Sequence, residues 1–240
     1  METLITFGII ALAALIHSSF QLSVSMATLL SGHSIGSKTA YRRTMRLILS
    51  FLAGALVMTT LFVSFISYVA TSLFGDTVPP LVWAAVCGLM VGLGIAVWTF
   101  YYRRTSGTTL WIPRSMARFL SDRAKATKHS SESFSLGLTS IIAEGLFILP
   151  PVAAASLALI TLDPVMQLAG VALYVFIASL TLIVVVMLIG SGHKLSRIQK
   201  WREDNKRFLQ FAAGSGLLVL GFYIYANEVV TALVANSGGF

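Results

Sequence analysis

Six stretches of this chain, each at least 20 residues long, carry no charged side chain except a single glutamate, Glu144. A bilayer hydrocarbon core about 30 Å thick is crossed by roughly 20 helical residues, so each stretch is long enough to span it. The apolar runs do not alternate with polar residues, which excludes the strands of a membrane barrel and leaves helices. Aliphatic runs place the spans near residues 4–30, 47–73, 81–102, 134–160, 165–190 and 208–230. Composition agrees: only 11% of the residues are charged, against about 25% in soluble domains. A mean hydropathy of +0.84 excludes a soluble globular domain, a disordered chain and a coiled coil. The expected fold is an all-α polytopic membrane protein with six transmembrane helices.

The placement of charge sets the expected orientation. All 17 lysines and arginines lie in three segments, 38–46, 103–128 and 194–207, whereas the other connections hold only Asp76 and Asp163. The positive-inside rule then puts the three basic loops in the cytoplasm and both termini outside, in a bacterial cytoplasmic (plasma) membrane. The net charge of +8 is thereby read as membrane orientation, with anionic lipid as the partner of the basic loops and no nucleic acid. The first span lacks a basic flank and a small-residue cleavage site, so it reads as a permanent helix. Within the linker 103–133, Pro113 opens a helix on which Trp111, Ile112, Met116, Phe119 and Leu120 face away from Arg114 and Arg118. That pattern predicts a short interfacial helix. Leu195, Ile198 and Trp201 recur at helical spacing in the last basic loop, as a lipid anchor or a partner surface. Pro79-Pro80 suits the first turn of the third span.

Alternating loops divide the chain into repeats, 1–102 and 134–240, of opposite orientation. Gly-Leu-Met-Val-Gly-Leu-Gly at 88–94 echoes Gly-Leu-Leu-Val-Leu-Gly-Phe at 216–222, and His17–Leu22 aligns over Glu144–Leu149. Three plus three helices, a glycine-rich third and sixth span and a proline-containing fourth span resemble the LysE exporter superfamily. Ser19-Phe20, Leu30-Ser31-Gly32, Tyr41-Arg42-Arg43, Phe51-Leu52-Ala53-Gly54 and Gly216–Gly221 resemble its CcdA/DsbD-type transmembrane branch. That branch carries a cysteine in its first and fourth spans. The single cysteine here, Cys87, is in the third. The resemblance therefore implies the inverted-repeat fold and transport, and leaves thiol–disulfide electron transfer only as a remote redox conduit using a partner's thiols.

Two ionisable side chains fall near the middle of spans, His17 in the first and Glu144 in the fourth. A carboxylate at that depth costs roughly 2.5–3.5 kcal/mol on insertion scales, so it faces protein or water. Aligned repeats would bring the pair together across the midplane, either ionised or sharing one proton as a neutral imidazole and carboxylic acid. Each continues into a polar stripe: His17, Gln21, Ser25 and Thr28 on one span, Ser133, Gly137, Ser140 and Glu144 on the other. Ser64, Ser67 and Thr71 form a third. Pro150-Pro151 removes backbone donors and predicts a break in the fourth span, where transporters place ligand sites. The expected transport site is Glu144, His17, Gln21, Ser140, Pro150 and Pro151. For each polar group the alternative is an interhelical hydrogen bond that fixes packing, and for the prolines a plain kink. A purely structural Glu144 would tolerate leucine. Gly88, Gly92, Gly214 and Gly216 read as close-packing positions.

Phosphate-binding glycine loops, dinucleotide fingerprints and His-Glu-x-x-His are missing from the sequence. One histidine and one glutamate at the core do not make a dedicated metal site. His33, His129 and His193 belong to loops, and the neighbours His17 and Ser18 point about 100° apart, too far for a nucleophile–base pair. The chain therefore reads as neither an enzyme nor a cofactor protein. Its expected function is secondary transport of a small solute or ion, proton coupling included. The competing reading is a non-transporting scaffold or assembly factor with basic cytoplasmic loops. Self-association into a homo-oligomer is compatible with either.

Overall fold

The structure is a computed structural model, and it describes residues 2–20, 22–31, 38–100, 114–191 and 195–237. Every regular element among them is a helix, the form in which an apolar chain satisfies its own backbone in lipid. In order these are α1 (Glu2–Ser19), α2 (Leu22–Ser31), α3 (Lys38–Phe74), α4 (Pro80–Phe100), α5 (Arg114–Ala126), α6 (Ser130–Ile160), α7 (Pro164–Ala178), α8 (Leu180–Gly190), α9 (Leu195–Asp204) and α10 (Lys206–Ile224). The last helix continues through a π-helical stretch, Tyr225–Val230, into α11 (Thr231–Ser237).

Four helices are long and apolar enough to cross a membrane alone, within α3, α4, α6 and the run from α10 onward. Two further candidates are bent pairs, α1 with α2 and α7 with α8, each turning by 49° as a broken span or a re-entrant loop does. Counting each pair once gives six. Chain directions agree with six alternating crossings. α3 and α6 run parallel, with Ser133 Oγ donating to Leu47 O at 2.6 Å at one end and Ser156 Oγ to Val63 O at 3.3 Å further along. α4 and α10 run antiparallel, since Gly94 meets Gly214 while Gly221 meets Cys87 and Met90.

Helix ends do not coincide with charge boundaries. α3 has 37 residues, about 55 Å at 1.5 Å per residue, so its first turns extend well beyond a hydrocarbon core. Arg42, Arg43 and Arg46, expected in a loop, are exposed on those turns. Charge marks where lipid ends, not where hydrogen bonding ends.

α6 is the central helix. In its most apolar window 72% of residues are buried, against 28–39% for the other three long spans. Its neighbours are α1, α2, α3, α4, α5 and α7. The crossing with α3 is backbone on backbone: a Cβ on Gly137 would strike Phe51 O, and one on Gly54 would strike Phe134 O. The predicted break at Pro150-Pro151 is absent, because α6 runs through both prolines, which are buried. Dense surroundings hold the helix together where isolated propensity would not.

The glycines divide. Gly94 and Gly214 let α4 and α10 touch, beside a hydrogen bond from Trp98 Nε1 to Phe211 O at 3.1 Å, and Gly216 abuts Ile16. Gly88 and Gly92 do not pack as expected. Both are exposed, with nothing within 4 Å of an added Cβ.

The two connecting helices exist. On α5, Leu120 and Ala124 are buried against the bundle while Phe119 is exposed with Arg123 over its ring. On α9, Trp201 is 57% exposed, open to lipid or to a partner. The inserted side chain is Arg202, 3% exposed. Trp111, Ile112 and Pro113, like Gln21, His33 and His193, lie outside the described residues.

Candidate functional site

Each bent span breaks at small hydroxyl residues that compete with the helix for backbone partners. The first break follows His17-Ser18-Ser19 and the second falls at Ser179 (φ −91°, ψ −4°). A helix end leaves carbonyls or N–H groups without intrahelical partners, and inside a membrane those groups must find others. Three carbonyls of the first break have such partners. Ile16 O accepts from Ser19 Oγ at 2.6 Å, and His17 O accepts from Phe20 N at 3.1 Å. Ser18 O accepts from Thr181 Oγ1 at 2.8 Å.

The third bond ties the two breaks together. Thr181 Oγ1 gives its only proton to Ser18 O, so the 2.7 Å contact between the two hydroxyls runs from Ser18 to Thr181. Ser18 Oγ in turn accepts from Thr181 N at 3.3 Å. Backbone groups released by one bent span are thus satisfied by the other.

On the far side of the first break, the exposed N–H groups belong to α2, and the acceptor is Glu144 from α6. Its Oε1 accepts from Ser23 N at 2.6 Å and from Ser23 Oγ at 3.1 Å. Leu22 N also donates to this carboxylate. An anionic carboxylate is the natural complement of a helix N-terminus, where peptide dipoles and free donors converge. Glu144 is 3% exposed and caps α2 from another helix. Ser23 Oγ also lies 3.3 Å from Ser140 Oγ, whose proton goes to Gly137 O at 2.8 Å. A protonated Glu144 would be accommodated by hydroxyl rotation, Glu144 donating to Ser23 Oγ and Ser23 to Ser140 Oγ. Phe20, next to this break, stacks on Phe147 of α6 at 5.6 Å.

A cavity of about 20 Å3 lies between the breaks, lined by His17, Ser18, Ser23, Thr59, Glu144, Ser179 and Thr181 among others. That is room for about one water. His17 and Glu144 both face it, yet they are not bonded to each other. His17 Nδ1 pairs with Tyr174 OH at 2.9 Å, so the predicted direct pair is replaced by two separate partnerships. The same geometry removes a His17–Ser18 dyad, because Ser18 pairs with Thr181.

Of the expected site residues, the fold brings His17, Ser140 and Glu144 together, while Gln21 lies outside the described residues. Pro150 and Pro151 are not part of this centre; Pro150 lines a separate apolar groove with Gly88 and Gly92. The stripe on α6 is real, running from Ser133 to Glu144 against α3 and α2. The stripe on α3 is not a buried path, since Ser64 and Thr71 are exposed. Sequence reading missed Ser23, Tyr174, Thr181 and Arg202. The signal for Tyr174 and Thr181 was available: with Gln167 and Ser179 they are the polar groups of a mostly aliphatic fifth span. Nothing separated Arg202 from five other cations in its loop. Its Nη2 donates to Ser25 Oγ at 3.0 Å, and its charge acts on Glu144.

No three His, Cys, Asp or Glu side chains among the described residues come close enough to hold a metal ion. The arrangement offers two buried ionisable side chains, a set of hydroxyls and two interrupted helices around one small polar void. Compared with protein-family models, with curated proteins and with solved structures, the chain matches none of them.

Proposed function

We propose that the protein is a secondary transporter, moving a small solute or ion through the centre of a six-span bundle with proton coupling at Glu144. The observation that carries this reading is the meeting of two interrupted spans at one cavity, with a buried carboxylate on the freed N–H groups of one of them. Interrupted helices around a polar void are how transporter folds expose backbone to a ligand without exposing it to lipid. A dry packing contact needs neither break.

The helix pairings support an inverted repeat. With spans one to three matched to four to six, α1 against α6 and α4 against α10 sit on the pseudo-two-fold axis, and α3 against α6 is matched by α7 against α1. α4 against α6 is likewise matched by α10 against α1. The breaks depart from this symmetry, falling in spans one and five. Such a pattern is compatible with the LysE superfamily resemblance and with basic loops on the cytoplasmic side of a plasma membrane, held by anionic lipid.

The test is flux through purified protein in proteoliposomes, over a panel of metabolites and metal ions, with and without a pH gradient. Uptake or efflux of at least one solute, accelerated by the gradient, is expected. Glu144→Gln should fold normally and lose the pH dependence. Absence of flux across the panel would hand the protein to the scaffold reading, and unchanged pH dependence in Glu144→Gln would remove Glu144 from the coupling and leave it a packing role.

A further inference from the structure

Two polar side chains of the central cavity, His17 and Ser179, line the void and are only 4% and 6% exposed. Neither His17 Nε2 nor Ser179 Oγ has a hydrogen-bond partner among the described residues. The other ring nitrogen is committed: Nδ1 lies 2.9 Å from the hydroxyl of Tyr174 on α7. Tyr174 is fully buried and lies off the cavity, and among the described residues its hydroxyl has no second partner. The protons available then fix the direction of the bond. If Nδ1 carried a proton it would donate to Tyr174, and the phenol's own proton would be buried without an acceptor, which is the costly case. An imidazolium has the same fault. With Tyr174 donating to Nδ1, the ring is neutral and its one proton sits on Nε2, facing the cavity, where an acceptor can reach it.

We propose that Tyr174 locks His17 as a neutral hydrogen-bond donor to one water shared with Ser179 and Glu144, which leaves Glu144 as the only group of the centre that changes charge. For the purpose of that charge the inference rests on the transporter reading; the lock itself does not. A cavity of about 20 Å3 holds one water, and a buried water needs about two to four polar partners. His17 Nε2–H gives it a donor, the Glu144 carboxylate an acceptor, and Ser179 a hydroxyl that serves as either. The walls from α2, α3 and α8 add only hydroxyls among their polar groups, those of Ser23, Thr59 and Thr181. The further charge acting on Glu144 is that of Arg202 on α9. Tyr174 touches neither the cavity nor Glu144, so it is a positioning residue that acts through His17.

Solid-state NMR of the full-length protein in proteoliposomes, with 13C,15N-labelled histidine, reads the lock directly. The His17 ring is the signal missing from His17→Gln or, should that variant not fold, the one that Tyr174→Phe moves. At neutral pH the ring should carry a bonded proton on Nε2 and none on Nδ1, and the Nε2 proton should receive magnetisation from water. Tyr174→Phe should shift Nδ1, which loses an accepted bond, while Nε2 keeps its proton. A proton on Nδ1 or on both nitrogens overturns the lock, as does an Nδ1 signal unmoved by Tyr174→Phe. No transfer from water overturns the shared water. In flux assays His17→Gln, whose amide still donates, should slow transport about two- to tenfold, the worth of one weakened hydrogen bond. It should keep the pH dependence that Glu144→Gln loses, and its loss in His17→Gln would make the histidine a proton carrier and overturn the proposal. A proton on Nε2 alone without any flux would keep the lock and overturn transport. Proton-driven flux with a proton on Nδ1 would do the reverse.

Discussion

Glu144→Leu should be among the most damaging single substitutions in the bundle, and Glu144→Gln among the mildest. The carboxylate is the acceptor for Ser23 N at 2.6 Å and for Leu22 N, at the start of α2. Leucine is close in size but accepts nothing, so two donors are left in a cavity of about 20 Å3. A buried unsatisfied N–H costs roughly 1–3 kcal/mol, and one water in the cavity can recover at most part of that. The expected loss is about 2–4 kcal/mol. The charge removed does not offset it, because the insertion cost of a carboxylate is carried by the unfolded chain in the membrane as well. Glutamine keeps an acceptor oxygen in place and should stay within about 1 kcal/mol of wild type. For a chain of this length such losses lower Tm by about 5–15 °C for leucine and at most a few degrees for glutamine. Thermal unfolding of purified protein in one detergent reads the order, and amide exchange at Leu22 and Ser23 reads the cause. Leucine as stable as wild type, or glutamine as unstable as leucine, would refute the cap.

The glycine positions separate by their surroundings. Gly54→Ala and Gly137→Ala place a Cβ against backbone of the facing helix, which cannot rotate away, so each should cost about 1–3 kcal/mol in thermal unfolding. Gly88→Ala and Gly92→Ala meet open space and should be neutral or stabilising by up to about 1 kcal/mol through helix propensity. Orientation is checked with single cysteines at Gly36, Ser130 and Gln199 in a Cys87→Ala background. All three should react only with a membrane-permeant thiol reagent on intact cells, and labelling of any one by an impermeant reagent would reverse the sidedness.

Apolar length and charge placement act locally and add along the chain, which is why they were legible without a structure. They mark six spans, the helical class and the segments rich in cations. They also single out His17, Ser140 and Glu144, since a polar side chain inside a span is costly wherever it sits. Helix continuity is different. Pro150-Pro151 looks like a break, but α6 passes through because neighbours surround it. The actual breaks, after Phe20 and at Ser179, are tolerated because Glu144, Ser18 and Thr181 supply partners from distant segments. A backbone group released in one span can be satisfied only by whatever another span brings alongside, and that is a property of the assembled bundle. The burial of Arg202 among otherwise solvated cations and the openness of Gly88 and Gly92 belong with the breaks. Each depends on which face of a helix meets a neighbour, and that choice is made only when the helices pack.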